Sequence, residues 1–179
     1  MTRTDADLLT ESVSRPAAFG EVFDRHARAV HAYLSRRLGP ERADDATADT
    51  FRIAFERRAT FDTDRGQVRP WLLGIATNLV RRQSRDEERR LRALGRVAAP
   101  GATPEPTLPA APEVGAALAA LEPGDRDVLL LVAWEDLSYE QVAQALAIPV
   151  GTVRSRLHRA RRLLRGALAA HLAEEGRDG

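Results

Sequence analysis

Apolar residues recur at helical spacing along most of this chain, and no stretch shows a convincing strand pattern. The first apolar stripe lies within residues 19–38 and stops at Gly39-Pro40, a pair that commonly ends a helix. The same periodicity predicts further helices over 43–58, 70–92, 114–121, 125–134, 138–146 and 150–172. The sequence therefore predicts an all-α protein.

The two helices predicted over 138–146 and 150–172 are separated by a very short connection. Ser138 can cap the first helix, and Gln141 stands where a capping box needs it. Ile148-Pro149 is expected to stop that helix, because proline disfavours helical geometry in the residue before it. A short helix, a tight turn and a longer basic helix predict a helix-turn-helix, whose second helix enters the DNA major groove.

The second of these helices has an apolar face and a basic face. Its apolar stripe is expected to pack on the first helix and consists of Val153, Leu157, Ala160 and Leu164. A helix that is merely solvated normally mixes charges of both signs, yet residues 150–172 hold six arginines and no acid. The basic face therefore favours contact with DNA. Its residues are Ser155, His158, Arg159 and Arg162, with Arg154 at the edge.

The net charge of +1 conceals a strong charge pattern. Residues 66–99 hold eight arginines and three acids, 100–149 hold one arginine and eight acids, and 150–179 hold seven arginines and three acids. Two separated basic blocks predict two contacts with a polyanion. The absence of cysteine excludes disulfides and thiolate metal sites, and is typical of the reducing cytoplasm. No apolar run is long enough to predict insertion into a membrane, and the first residues lack a signal-peptide pattern.

Residues 94–112 contain five prolines and little that could form a core. We interpret this segment as a flexible linker between a domain at 14–93 and a domain at 113–172. At about 3.1 Å per residue, such a proline-rich segment can extend roughly 55 Å. The two domains could therefore reach DNA sites more than one helical turn apart.

Three stretches of the chain closely resemble the extracytoplasmic-function sigma factors of bacterial RNA polymerase. LSYEQVAQALAIPVGTVRSRLHRARRLLR (137–165) resembles sigma region 4, and GTVRSRLHRAR is its most specific part. ADDATADTF (43–51) resembles the part of region 2 that docks on core polymerase. RPWLLGIATNLVRRQSRDEERR (69–90) resembles the helix that melts and reads the minus-10 promoter element.

The resemblance implies a role for individual residues. Asp45, Asp49 and Phe51 would belong to the surface that binds the clamp helices of the largest polymerase subunit, although Ala48 stands where the family often has glutamine. The loop 62–68 would hold a base flipped from the non-template strand. The residues implied at the minus-10 element are Arg65, Trp71, Asn78, Arg81, Arg82 and Arg85. Those implied at the minus-35 element are Thr152, Arg154, Ser155, His158, Arg159 and Arg162.

The residues themselves leave some of these roles open. Trp71, beside Leu72 and Ile75, could simply belong to the core. Asn78 is a polar amide within an apolar run, so it either faces solvent or makes a hydrogen bond, for example to DNA. The outward aspartates of the helix at 43–58 could solvate a helix face or bind a positively charged partner.

The resemblance implies a transcription initiation factor that is not an enzyme and needs no cofactor. Its expected partners are core RNA polymerase, promoter DNA and an anti-sigma factor. One alternative is a helix-turn-helix regulator that works without polymerase, but the N-terminal half has its own basic helix and lacks the α/β pattern of a receiver domain. A second alternative, a helical metalloenzyme, would need Glu-x-x-His pairs, and the sequence has none.

Overall fold

The computed structural model describes residues 3–63, 66–93 and 112–175, which contain eight α-helices and two short 3₁₀ turns. The predicted linker 94–112 therefore lies almost wholly outside the described residues. The helices are α1 (Asp5–Ser14), α2 (Phe19–Leu38), α3 (Pro40–Arg57), α4 (Val68–Ala93), α5 (Pro112–Ala119), α6 (Pro123–Glu135), α7 (Tyr139–Leu146) and α8 (Val150–Glu175). The prediction of an all-α fold with a helix-turn-helix is confirmed.

Helix α1 is the element that the periodicity did not reveal. It begins with a capping box, in which the Asp7 backbone N–H donates to Thr4 Oγ1 at 3.1 Å and the Thr4 N–H donates to Asp7 Oδ2 at 2.8 Å. Leu8 and Leu9 are fully buried against the following helices. Because the other turns of α1 are polar, two adjacent leucines gave too little periodic signal for a prediction.

The turn between α2 and α3 depends on a glycine. Gly39 has φ +82°, a conformation that side chains disfavour, and Pro40 directly begins α3. The stop predicted at this pair is confirmed, and the next helix starts three residues earlier than expected. Helices α1 to α4 then share a core whose largest fully buried members include Leu8, Leu9, Tyr33, Leu34, Leu72 and Leu73.

The helix-turn-helix has the predicted cap but a different stop. Ser138 Oγ accepts from the Gln141 N–H at 3.2 Å, and Gln141 Oε1 accepts from the Ser138 N–H at 2.8 Å. Helix α7 ends at Leu146 because Ala147 adopts the left-handed conformation, with φ 52°. The Ile148 N–H then donates to the Ala143 carbonyl at 3.1 Å. The chain thus turns before Pro149, which instead precedes the first residue of α8.

The apolar stripe of α8 has more partners than predicted. Val153, Leu157 and Ala160 are buried, and Leu164 is half-buried. Helix α8 packs on α5 and α6 as well as on α7. The stripe is therefore the centre of a four-helix C-terminal core rather than of a two-helix contact.

The two helical halves pack against each other through α4 and α7. Gly74 of α4 lies so close to α7 that a Cβ at this position would be 2.9 Å from the carbonyl carbon of Ala145. Two buried acids on α6 also join the halves. Asp127 is paired with Arg37 and Arg81, and Glu135 with Arg36 and Arg69. We call this the packed arrangement.

Candidate nucleic-acid interface

The first half of α8 presents the predicted basic face to solvent. Arg154, Ser155, His158 and Arg162 are exposed, and Thr152 is half-buried. Ser155 Oγ donates to the Thr152 carbonyl at 3.1 Å, so its hydroxyl is turned back toward the helix. The other three exposed side chains, Arg154, His158 and Arg162, can donate hydrogen bonds to bases and phosphates in a DNA groove.

Arg159 also belongs to this face, but its guanidinium is already held. It donates from Nη2 to Asp125 Oδ1 at 2.6 Å and from Nε to the other carboxylate oxygen. Asp125 is only 1% exposed. Because the fork of Arg159 is occupied by a buried acid, contact with a guanine would require this pair to break or to share its donors.

Helix α4 carries the residues implied at the minus-10 element. Trp71 is half-buried and lies against Phe61, with ring centroids 4.6 Å apart. Asn78 is exposed, so its amide faces solvent rather than a partner in the core. Arg65 lies outside the described residues.

The three arginines implied on α4 have different environments. Arg82 has a side chain that is 76% exposed, and Arg85 is exposed. Arg81 is 30% exposed and donates from Nε to Asp127 Oδ2 at 2.5 Å. In the packed arrangement Arg82 and Arg85 can therefore approach a phosphate, whereas Arg81 is engaged by the other half of the protein.

Helix α3 exposes an acidic face, but Phe51 does not belong to it. Asp45 is exposed, and Asp49 has a side chain that is 49% exposed and paired with Arg52. Phe51 is 5% exposed and packs edge-on against Phe19 and Phe23. The role of Phe51 as a contact on the docking surface is thus corrected: its ring is in the core, where it holds α3 in place.

The sequence did not reveal the ion pairs that join the two halves. Arg37 Nη2 lies 2.7 Å from Asp127 Oδ1, and the two side chains are 2% and 1% exposed. Arg37 also donates to the Tyr33 hydroxyl at 2.8 Å. Asp127 and Arg37 lie far apart in the chain, and no local pattern could have shown that they meet.

The second acid, Glu135, has a buried carboxylate between two arginines. Arg36 Nη2 donates to Oε1 at 2.6 Å and Arg69 Nη2 to Oε2 at 3.0 Å. The guanidinium of Arg36 also lies 4.8 Å from the centre of the Trp134 ring. Burial raises the pKa of Glu135, and the two arginines only partly oppose this shift.

The raised pKa of Glu135 predicts a pH dependence of the packed arrangement. A buried carboxyl binds its proton more tightly than a hydrated one, so packing is favoured at low pH and weakens as pH rises from 4.5 through the raised pKa. We expect the radius of gyration, measured by small-angle scattering, to increase over this window in the wild type and to change less in Glu135→Gln. Identical pH profiles for the two proteins would contradict this assignment.

Neither a metal centre nor a membrane span is found among the described residues. No group of three or more His, Cys, Asp or Glu side chains in that part of the chain could hold a metal ion. Within the same residues no helix is both long and apolar enough to cross a bilayer.

Comparison with known protein families finds a matching family region for each half of the chain. Residues 22–90 match sigma-70 region 2, and residues 112–164 match sigma-70 region 4. The chain belongs to the sigma-70 family of RNA polymerase sigma factors. The family makes it a factor for promoter-specific transcription initiation.

Relatives of this sigma factor include members of the extracytoplasmic-function (ECF) group. The ECF RNA polymerase sigma factor SigE of Mycolicibacterium smegmatis is 36% identical over 88% of this chain, which spans 64% of the length of that protein. The RNA polymerase sigma factor CnrH of Cupriavidus metallidurans is 33% identical over 95% of this chain and 98% of its own length.

Two solved structures resemble this sigma factor. CnrH in complex with the cytosolic domain of CnrY has a TM-score of 0.66 at 29% identity, over 93% of this chain and 97% of that chain. The sigma factor RpoE in complex with the anti-sigma factor NepR from Bartonella quintana has a TM-score of 0.67 at 23% identity. This match covers 86% of this chain and 98% of that chain, and it shows a shared fold.

Proposed function

We propose that the domain at 14–93 docks on core polymerase and opens the minus-10 element, while the domain at 113–172 reads the minus-35 element. The observation that carries this proposal is the exposed basic face of α8, which lies on the second helix of a helix-turn-helix and includes Arg154, His158 and Arg162. The exposed Asn78, Arg82 and Arg85 of α4 support a second contact with DNA. The acidic face of α3, with Asp45 and Asp49, would bind a basic surface of the polymerase.

The packed arrangement must open for both elements to be bound at once. Helices in contact have axes about 8–10 Å apart, and α4 contacts α7 directly. DNA sites one helical turn apart are separated by about 34 Å. A proline-rich segment as long as the linker predicted from the sequence can extend roughly 55 Å, so the halves would be able to separate, and the buried pairs at Asp127 and Glu135 would then become hydrated.

We further propose that an anti-sigma protein holds this chain inactive. The sigma factor RpoE, which shares the fold, was solved with an anti-sigma factor. The phosphodiester chemistry would belong to the polymerase, so this chain would itself not be an enzyme. Its work on polymerase and DNA would take place in the cytoplasm.

Run-off transcription with purified core polymerase on a library of promoter fragments tests the proposal. Specific transcripts that appear only when the protein is added are expected, and their start sites would locate both recognition elements. Tight binding to a single duplex without polymerase, with no transcript, would instead favour a regulator that acts alone.

Arg154→Ala should relax the preference for one base pair of the minus-35 element. Arginine near the start of a recognition helix is placed to bind a base edge, and loss of such a contact costs about 1–3 kcal/mol of discrimination. The measurement is initiation on promoters that carry each single substitution at minus-35. Arg28→Ala, which removes an exposed arginine of α2, is the control. Equal losses on all promoters would place Arg154 on a phosphate.

A further inference from the structure

A basic cavity of about 320 Å³ lies where the two halves of the protein meet. Its walls come from four helices, since α2, α4, α6 and α8 each contribute at least one arginine. The arginines are Arg37, Arg81, Arg85, Arg126 and Arg156, and the acids are Glu88 and Asp127. The lining thus carries an excess of three positive charges.

The two acids of the cavity are already neutralised. Asp127 is bound by Arg37 and Arg81, and Glu88 by Arg92 at 3.2 Å. The remaining cations have no carboxylate partner in the described part of the chain. They are Arg85, Arg126 and Arg156.

Arg126 is the most informative of these cations because it is 1% exposed. It donates to the carbonyls of Leu118 at 2.7 Å, Ala119 at 2.5 Å and Leu121 at 3.0 Å, yet its Nη1 has no partner among the described residues. Arg37, which is 2% exposed, likewise leaves its Nε without a partner there. Burial, and then the charge of Arg37, lower the pKa of Arg126. Asp127, which lies 2.7 Å from Arg37, and Glu122 oppose this shift only in part, so the charge of the two buried guanidiniums is incompletely balanced and a further anion beside them would be stabilised.

The first turn of α6 completes the cavity. Pro123 and Gly124 begin this helix of 13 residues and line the space, so the partial positive charge of the helix N-terminus lies beside it. Pro123 has no N–H, and the N–H groups of Asp125 and Arg126 already donate to the Glu122 carbonyl, so the first turn contributes charge more than hydrogen bonds. A Cβ on Gly124 would lie 2.7 Å from Nη1 of Arg156. The missing side chain is what allows the guanidinium of Arg156 to lie against this turn.

We propose that this cavity binds a small phosphate-bearing anion, such as a pyrophosphate group. Guanidinium forks are donors that suit phosphate oxygens, and the nearby helix N-terminus adds partial positive charge. The volume lies at the lower end of the range for small-molecule sites, about 300–1,000 Å³. Because the lining belongs to both halves, the anion would bind the packed arrangement and oppose its opening. Only this effect on opening depends on the proposed promoter function; the site itself does not.

Isothermal titration of the full chain with inorganic pyrophosphate at constant ionic strength tests the proposal. Arg85→Gln and Arg156→Gln should each weaken binding at least about tenfold, since each removes a charge-assisted hydrogen bond. The matched controls are Arg82→Gln on α4 and Arg161→Gln on α8, which remove arginines outside the cavity lining and should leave the affinity within about twofold. Gly74→Ala should abolish binding, because it forces α4 away from α7.

Three results would overturn the proposal. One is the absence of binding at millimolar pyrophosphate, and another is an equal loss of affinity in the cavity variants and their controls, as expected for general screening of charge. The third is pyrophosphate binding that persists in a Gly74→Ala protein whose radius of gyration shows that the halves have separated. Parallel titrations with inorganic phosphate, sulfate and a short single-stranded oligonucleotide define the ligand. Binding of the oligonucleotide alone would show that the arginines serve DNA and not a small anion.

Discussion

Gly74→Ala is expected to separate the two halves of the protein while each half stays folded. An added Cβ would lie 2.9 Å from the carbonyl carbon of Ala145 and 3.1 Å from its Cα, and both are backbone atoms that cannot rotate away. Overpacking of this kind typically costs about 1–3 kcal/mol. In the isolated domain the same change should favour α4, because alanine is better than glycine in a helix interior by about 1 kcal/mol.

The measurement for Gly74→Ala is the radius of gyration, together with the helix content from circular dichroism. We expect the radius to increase and the helix content to remain constant. Gly20→Ala is the matched control, since Gly20 lies in α2 and a Cβ there would meet nothing within 4 Å. An unchanged radius in Gly74→Ala would show that the contact between α4 and α7 does not hold the halves together. A loss of helix content would show damage to the fold instead.

Asp45→Arg is expected to weaken binding to core polymerase strongly. Asp45 is exposed, and no ion pair or hydrogen bond within the described residues involves it, so the folded chain loses nothing. If the partner surface is basic, reversing the charge both removes an attraction and adds a repulsion. Residues central to an interface contribute about 2 kcal/mol or more, so we expect the Kd for core to rise at least about thirtyfold.

The control for this change is Asp24→Arg, which reverses the charge of an exposed aspartate on α2. It alters the net charge of the protein equally but lies outside the acidic face of α3. Core affinity is measured by fluorescence titration of labelled protein with core polymerase. If Asp45→Arg and Asp24→Arg weaken binding to the same extent, the effect is one of net charge, and α3 is not the docking surface.

The local features of the sequence were enough to predict most of the helices. The stop at Gly39-Pro40 and the capping box of Ser138 and Gln141 depend on a few adjacent residues, and both appear in the structure. Helix α1 was missed because only Leu8 and Leu9 give it an apolar signal. The end of α7 at Leu146 was predicted, but the stop was attributed to Ile148-Pro149, because the left-handed conformation of Ala147 that ends the helix is unusual for alanine.

The contact between the halves could not be predicted, because it depends on residues far apart in the chain. Nothing in the sequence around Gly74 shows that a side chain cannot be accommodated there, and only the approach of Ala145 explains it. The same holds for Asp127, whose burial depends on its ion pairs with the distant Arg37 and Arg81. Phe51 was placed on a binding surface by motif, whereas its burial follows from the rings of Phe19 and Phe23.

The distance between the two halves during initiation is the most direct test of this account. The chain has no cysteine, so Gly20→Cys and Gly166→Cys create unique labelling sites, and an added Cβ meets nothing within 4 Å at either one. Fluorescence energy transfer between the two labels should report a clearly longer distance with core polymerase and promoter DNA than in the free protein. An unchanged distance in a complex that makes transcripts would contradict the claim that the packed arrangement opens to reach both promoter elements.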